Sequence, residues 1–536
     1  MKPVSATKLA ATCVVLGMGA GASASRSSTT LTPSEASAAE NAFHIFNSIH
    51  SAMRLWGSSL NHNGLSAFLA TVPEGTILYH GSSHPEPPTT ADWLAFEIEH
   101  GEWFARAIMV PPPQTAQDAN PLLQHRWHRA QRQPSRPGTS SEPQGHGYLH
   151  LYRATKPLRL LYLDGMSAGN TNMGTLDMQD YLLRGNRSAE LWEEYERAQS
   201  LCDLVTPWGL QGLIRTEAGF EIVKCDFSDS MEFLAANQRP EDGDSGLEGY
   251  LDVQMFENMR SLSQRYHGIG ANRVALDFSS MVSPMFYPVN LTNPDPNKQE
   301  PHLRRLTSVT DQELRAIKAR VEEVVRDRVD GKQASVDWQG VTDMIVTRYA
   351  DRLWDVAETV DSLRVLQGVV NGLLNSHIDY SVEDEGYERA ITNCAKHYVQ
   401  FSPVTTEQDH LISVAIGSVT QAICATLFDV RKVILDDADG ASDETLAAAK
   451  GLLKSLNSKL RWSRWKECTS CSSDEVCFVP MWPVGDKDSF DRPNCRNVTT
   501  IQKGWIDNRY WEPRFPLHGP EKPDDGSKKE GEPKDL

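Results

Sequence analysis

Three groups of residues have the types and spacing to do chemistry. His80 closes the apolar run Ile77-Leu78-Tyr79 and is followed by Gly81-Ser82. An imidazole there can hydrogen-bond a ligand hydroxyl, and a glycine lets a ligand approach the backbone closely. Glu221 lies near the start of "GFEIVKCDF", where strand alternation puts Glu221, Val223 and Cys225 on one side and Phe220, Ile222 and Lys224 on the other. A carboxylate in such a strand is costly to bury without a ligand or a partner. Arg215 and Lys224 are the bases at hand for a structural ion pair, and Glu217 and Gln211 compete for the chemical role. The third group is Gly165-Met166-Ser167-Ala168-Gly169, a G-x-S-x-G turn directly after "LRLLYLD". Such a turn presents the nucleophilic serine of a hydrolase when a helix follows at once and a histidine activates it, and His267 is the imidazole available downstream. Here "NTNMGT" follows, rich in turn formers, so a Gly/Ser loop is the plainer reading.

The elements that must position these residues fall into two textures. "TILYH", "DWLAFEI", "GYLHLYRAT", "LRLLYLD", "LQGLIRT" and "GFEIVKCDF" read as strands, and "EHGEWFARAIM", "LDMQDYLLRG" and "AELWEEYERAQSLCDLV" as helices. Ahead of them, Thr32-Pro33-Ser34-Glu35 predicts the start of an amphipathic helix with Phe43, Phe46, Ile49, Met53 and Trp56 on one side. Residues 25–240 are therefore expected to form an α+β domain, interrupted by a Pro/Gln/Ser-rich insert at 111–146 that cannot bury enough surface to fold alone. Residues 241–300 read as a connecting segment. Beyond them, Thr310 and Glu313 cap a helix carrying Leu314, Ile317, Val321 and Val324, and long 3.6-residue periodicity continues over 341–374, 407–435 and 444–460. Residues 301–512 are thus expected to be an all-α domain with a Cys/Trp-rich end, and 519–536 a disordered tail.

The order of motifs in the first half resembles the H-Y-E branch of the ADP-ribosyltransferase fold. The matching pieces are "LYHGS", a strand-helix unit ending "WFA", "YLHLYRATKPLRLLYLD", and a strand pair with an early glutamate. They span roughly residues 70–235. The resemblance implies a mixed-sheet domain that takes NAD and transfers ADP-ribose to a protein or small-molecule acceptor, or hydrolyses NAD. His80, Gly81 and Ser82 would orient the dinucleotide, Trp93 and Phe96 would stack on it, and Glu221 would stabilise the oxocarbenium-like centre. In the middle strand Trp93-Leu94-Ala95-Phe96 offers stacking surface, with alanine where the family carries a polar contact. The whole chain also resembles a group of uncharacterised secreted ascomycete proteins. The alternative to catalysis is a secreted or wall-associated glycoprotein without it, in which His80 caps a strand and Glu221 sits in a salt bridge.

Composition narrows the partners. A formal charge of −18 argues against nucleic acid, whose phosphates need a basic surface. Lys2, Lys8, the apolar run Leu9–Leu16 and Ala22-Ser23-Ala24 read as a signal peptide over residues 1–24, so the protein is expected to be exported. No transmembrane anchor is expected, since polar and charged residues interrupt Leu411–Leu435. With Cys13 in the leader, eight cysteines remain, an even number that favours disulfides in an oxidising compartment. Cys468, Cys471, Cys477 and Cys495 could alternatively hold zinc, but the second pair lacks the close CxxC spacing, and no metal is expected. Asn186, Asn290 and Asn497 head N-x-S/T acceptor sequences.

Overall fold

A computed structural model describes residues 31–105, 146–241, 256–262, 273–294, 303–381, 386–437, 443–501 and 510–511. The leader, the Pro/Gln/Ser-rich insert and the tail expected from the sequence lie outside the described residues, apart from His146 at the insert's end.

The fold is α+β, with a large mixed sheet in the first half and helices with disulfide-bonded cysteines in the second. The strands are β1 (Ala67–Val72), β2 (Ile77–Ser82), β3 (Asp92–Ala95), β4 (His146–Ala154), β5 (Leu158–Leu163), β6 (Gly212–Glu217), β7 (Gly219–Lys224), β8 (Met231–Glu241) and β9 (Ala275–Val282). They form one nine-stranded sheet in the order β8-β4-β2-β3-β7-β6-β5-β1-β9. The ladders are antiparallel except β5 with β6. β2 and β3 are joined by one residue pair only, Tyr79 with Ala95.

Three strands of this sheet are absent from the sequence reading: β1, which lies ahead of the first expected strand, β8 and β9. β8 is an exposed edge strand, so it shows no buried face to read as alternation. β9 comes from inside the segment expected to connect the halves, and it closes the other edge by pairing with β1. The first helical stretch is also broken where one amphipathic helix was expected, into α1 (Glu35–Glu40), α2 (Ala42–Ser51) and α3 (Leu55–Leu60). The cap of α1 is Ser34, whose hydroxyl accepts from Ser37 N–H at 3.2 Å.

α4 (Ile98–Phe104) and α5 (Glu194–Val205) follow in the first half. The second half holds α6 (Asp311–Arg328), α7 (Trp338–Trp354), α8 (Leu363–Leu374), α9 (Gly386–Lys396), α10 (Glu407–Leu435) and α11 (Asp443–Leu460). α6 starts at the expected capping box of Thr310 and Glu313. α10 is long and apolar enough to cross a membrane by length and composition, and it packs against α1, α2, α8, α9, α11 and β9. Its buried stripe from Leu411 to Ile434 belongs to the hydrophobic core that continues into the sheet.

Candidate functional site

Cross-strand partners point to the same side of a sheet and successive residues to opposite sides. Tyr79 is opposite Ala95, and Ala95 is opposite Glu221, so these three share a face. His80, one residue along from Tyr79, points to the other. The strands that carry the two residues are central and separated by β3 alone. Their side chains nonetheless project from opposite faces.

On its face Glu221 is 5% exposed and held by Arg215, its cross-strand neighbour on β6. Arg215 donates to Glu221 Oε1 from Nη2 at 2.7 Å and from Nε at 3.1 Å. The same guanidinium reaches Glu194 Oε2 at 3.0 Å and Gln179 Oε1 at 3.0 Å. Glu194 also accepts from Arg197, which in turn grips Asp180 through Nε at 2.9 Å and Nη2 at 3.1 Å. Arg184 reaches Asp180 at 2.7 Å. Glu221, Glu194 and Asp180 are thereby matched by Arg215, Arg197 and Arg184. Burial, and then the nearby Glu217 carboxylate, push Glu221 above the usual carboxylate range, while Arg215 pulls it back. Glu217 itself stands 3.4 Å from His100 Nε2. Trp93 shares this face and is met edge-on by Tyr195 of α5, with ring centroids 5.0 Å apart. Phe96 is buried in the same core.

His80, 7% exposed, lies among other groups. Its Nδ1 is 2.8 Å from the Trp93 carbonyl, which requires the proton on Nδ1, and Nε2 is 4.0 Å from Asp92 Oδ2. The His150 ring is 5.4 Å away and Phe227 5.6 Å, both centroid to centroid. His150 is opposite His80 in the β2–β4 ladder, and Tyr152 follows two residues on, so all three share a face. His150 Nδ1 and the Tyr152 hydroxyl are buried without hydrogen-bond partners. Burial lowers His150 to about 4 and pushes the Tyr152 phenol up. Both residues sit in "YLHLYRAT", whose period of two already aligned them. Their neighbourhood with His80 depended on the β2–β4 register, which no local pattern states.

The remaining candidates have structural partners. Gly81 faces α4 so closely that an added Cβ would stand 2.4 Å from Gly101 O and 2.5 Å from Ala105 N. The space a dinucleotide would need beside this glycine is filled by backbone. Ser82 Oγ accepts from His84 N–H at 3.0 Å. Ser167 is 2% exposed and donates to Leu163 O at 2.8 Å, while its Oγ accepts from Thr216 N–H at 3.3 Å. His267, the imidazole available to a hydrolase, lies outside the described residues. Gln211 holds Arg159 N–H at 2.9 Å and Asp229 at 2.8 Å. Lys224 donates to Asp226 O at 2.7 Å from the face opposite Glu221. Among the described residues the grouped metal-type ligands are Cys468, Cys471 and Cys477, all of them in disulfides. A separate cleft of about 320 Å³ between α2, α3 and α7 is lined by Arg54, Asp343, Asp351 and Arg464 among others, and Arg54 and Asp343 are paired there at 2.7 and 2.6 Å.

A family model described as the YPL277C N-terminal domain matches residues 36–110 and 112–244. The chain is 26% identical to the uncharacterized protein YOR389W of Saccharomyces cerevisiae over 542 residues, covering 83% of each chain. It is 28% identical to the uncharacterized protein YPL277C of the same yeast over 389 residues, covering 60% of this chain and 76% of the relative. No solved structure matches. The similarity is thus to an uncharacterised fungal family, and it extends well beyond the stretch that carries the His80 and Glu221 motifs.

Proposed function

We propose that this protein is a non-catalytic, exported fungal protein whose mixed sheet serves as a scaffold. The observation that carries this reading is the pairing of Glu221 with Arg215 on the face opposite His80. A transferase needs the histidine and the glutamate to reach one dinucleotide, and it needs the carboxylate free to meet a developing positive charge. Here the guanidinium already occupies that role. Export is supported by the leader read at residues 1–24 and by four disulfides, which persist in oxidising compartments. Asn290 is exposed, and its amide oxygen accepts from Thr292 N–H at 3.0 Å, a geometry open to glycosylation.

A second reading, NAD-dependent ADP-ribosyl transfer or NAD hydrolysis, is favoured by one observation: the strands bearing His80, Trp93 and Glu221 stand side by side in the order β2-β3-β7. An NAD hydrolysis assay on the oxidised protein separates the two. The scaffold reading expects no nicotinamide release above buffer, for the protein and for E221Q alike. Turnover by the protein that E221Q abolishes would establish the enzyme.

A further inference from the structure

The four cysteines of the C-terminal segment are paired Cys468 with Cys477 and Cys471 with Cys495. The sulfurs of Cys468, Cys471 and Cys477, which belong to both bonds, all lie within 4.8 Å of one another. Cys477 and Cys495 are also direct cross-strand partners in the small antiparallel sheet of β10 (Val476–Phe478) and β11 (Asn494–Arg496). Directly opposed residues in such a ladder have Cα atoms about 4.5–5.5 Å apart, inside the range of about 4.4–6.8 Å that a disulfide needs. Cys468 and Cys471 form a CxxC unit. Each cysteine thus has a second partner, by sulfur distance for Cys468 and Cys471 and by cross-strand register for Cys477 and Cys495. All four residues are partly exposed, unlike Cys202, Cys394 and Cys424, which are buried.

From this we propose that the C-terminal segment is a thiol–disulfide exchange site whose two bonds rearrange when an external thiol initiates the exchange. A thiolate attacks Cys495 Sγ, forming a mixed disulfide and expelling Cys471 as thiolate. Cys471 then attacks Cys468 Sγ, making the CxxC bond and releasing Cys477. The Cys477 sulfur already accepts the Cys468 N–H at 3.1 Å, which stabilises the leaving thiolate. Cys477 attacks Cys495 across the ladder and expels the external thiol unchanged. No electrons are gained or lost overall. The pairs Cys468–Cys477 and Cys471–Cys495 become Cys468–Cys471 and Cys477–Cys495.

The test is disulfide mapping of the intact oxidised protein after incubation with substoichiometric reduced glutathione, followed by acid quench, alkylation and proteolysis. Peptides carrying Cys468–Cys471 and Cys477–Cys495 should accumulate at the expense of the original pair, with Cys202–Cys225 and Cys394–Cys424 unchanged. Persistence of the original pairs, or loss of all four bonds together to free thiols, would overturn the proposal. A doubly substituted chain, Cys477→Ser with Cys495→Ser, gives an independent readout. Folded, air-oxidised and without the leader that carries Cys13, it should titrate with no free thiol because the CxxC bond forms. Two free thiols in that folded protein would equally overturn it.

Discussion

Arg215 governs what Glu221 can do. Both are buried and each satisfies the other, so removing the cation leaves Glu221 without its main partner and takes one of two arginine partners from Glu194. R215M is expected to cost about 3–5 kcal/mol, the scale of breaking a buried pair from one side, and urea denaturation measures it. Asp164 gives a prediction with a sign in pH. Burial pushes it up to about 7, against the pull of the Ser66 N–H that its Oδ1 accepts at 2.7 Å. A raised carboxylate binds its proton more tightly folded than unfolded, so its contribution is full below about pH 4 and is lost as pH rises to about 7. Relative to the native protein, D164N should therefore gain stability steadily from pH 4 to pH 7, by up to about 1.4 kcal/mol for each pKa unit of the shift. A difference in urea midpoint that stays constant across that range would show that Asp164 does not titrate as described. At this scale the sequence was readable in part. The sequence named Arg215 and Lys224 together as candidate partners for Glu221, and alternation in "GFEIVK" put Lys224 on the opposite side. It could not say that His80 would project from the other face, because one residue of register between β2 and β3 decides that.

Among the elements, α4 explains the glycine that made "LYHGS" look like a ligand grip. Its last turn lies on β2 at Gly81, and the obstructing atoms are backbone, so a side chain there forces helix and strand apart. G81A should destabilise by about 1–3 kcal/mol, as overpacking does elsewhere, with the loss read as a lower urea midpoint at unchanged slope. A neutral substitution would mean the glycine is free for another purpose. Strands with a buried face, such as β5 and β7, were legible from composition alone. β8 was not, since residues along most of an exposed edge strand are selected for solubility and not for alternation. β9 was not legible either, because its place is set by pairing with β1 some 200 residues earlier, between Ala275 and Thr71 for example.

The molecule as a whole is knitted across the halves that composition had separated. Asp409 on α10 accepts from Ser279 Oγ on β9 at 2.7 Å and from Trp338 Nε1 at 2.8 Å, and Arg328 on α6 holds Asp277 at 2.7 and 2.9 Å. Asn47 on α2 donates to Leu460 O at 3.0 Å at the far end of α11. Fluorescence and far-ultraviolet dichroism should accordingly report a single coincident urea transition, since the helices and the sheet share one core. Two separated transitions would mean that the halves are independent folding units. The texture change near residue 300 was real as a change of secondary structure and silent about this shared core, because nothing local records which distant surface an apolar stripe will meet. The proposal that joins residue, element and molecule is that the described residues of this sheet hold no dinucleotide: Glu221 is paired with Arg215, Gly81 is covered by α4, and His80 faces away. Calorimetric titration of the fully oxidised protein with millimolar NAD tests it most directly. Only heats of dilution are expected; a saturable isotherm that is lost in both H80A and E221Q would overturn the proposal.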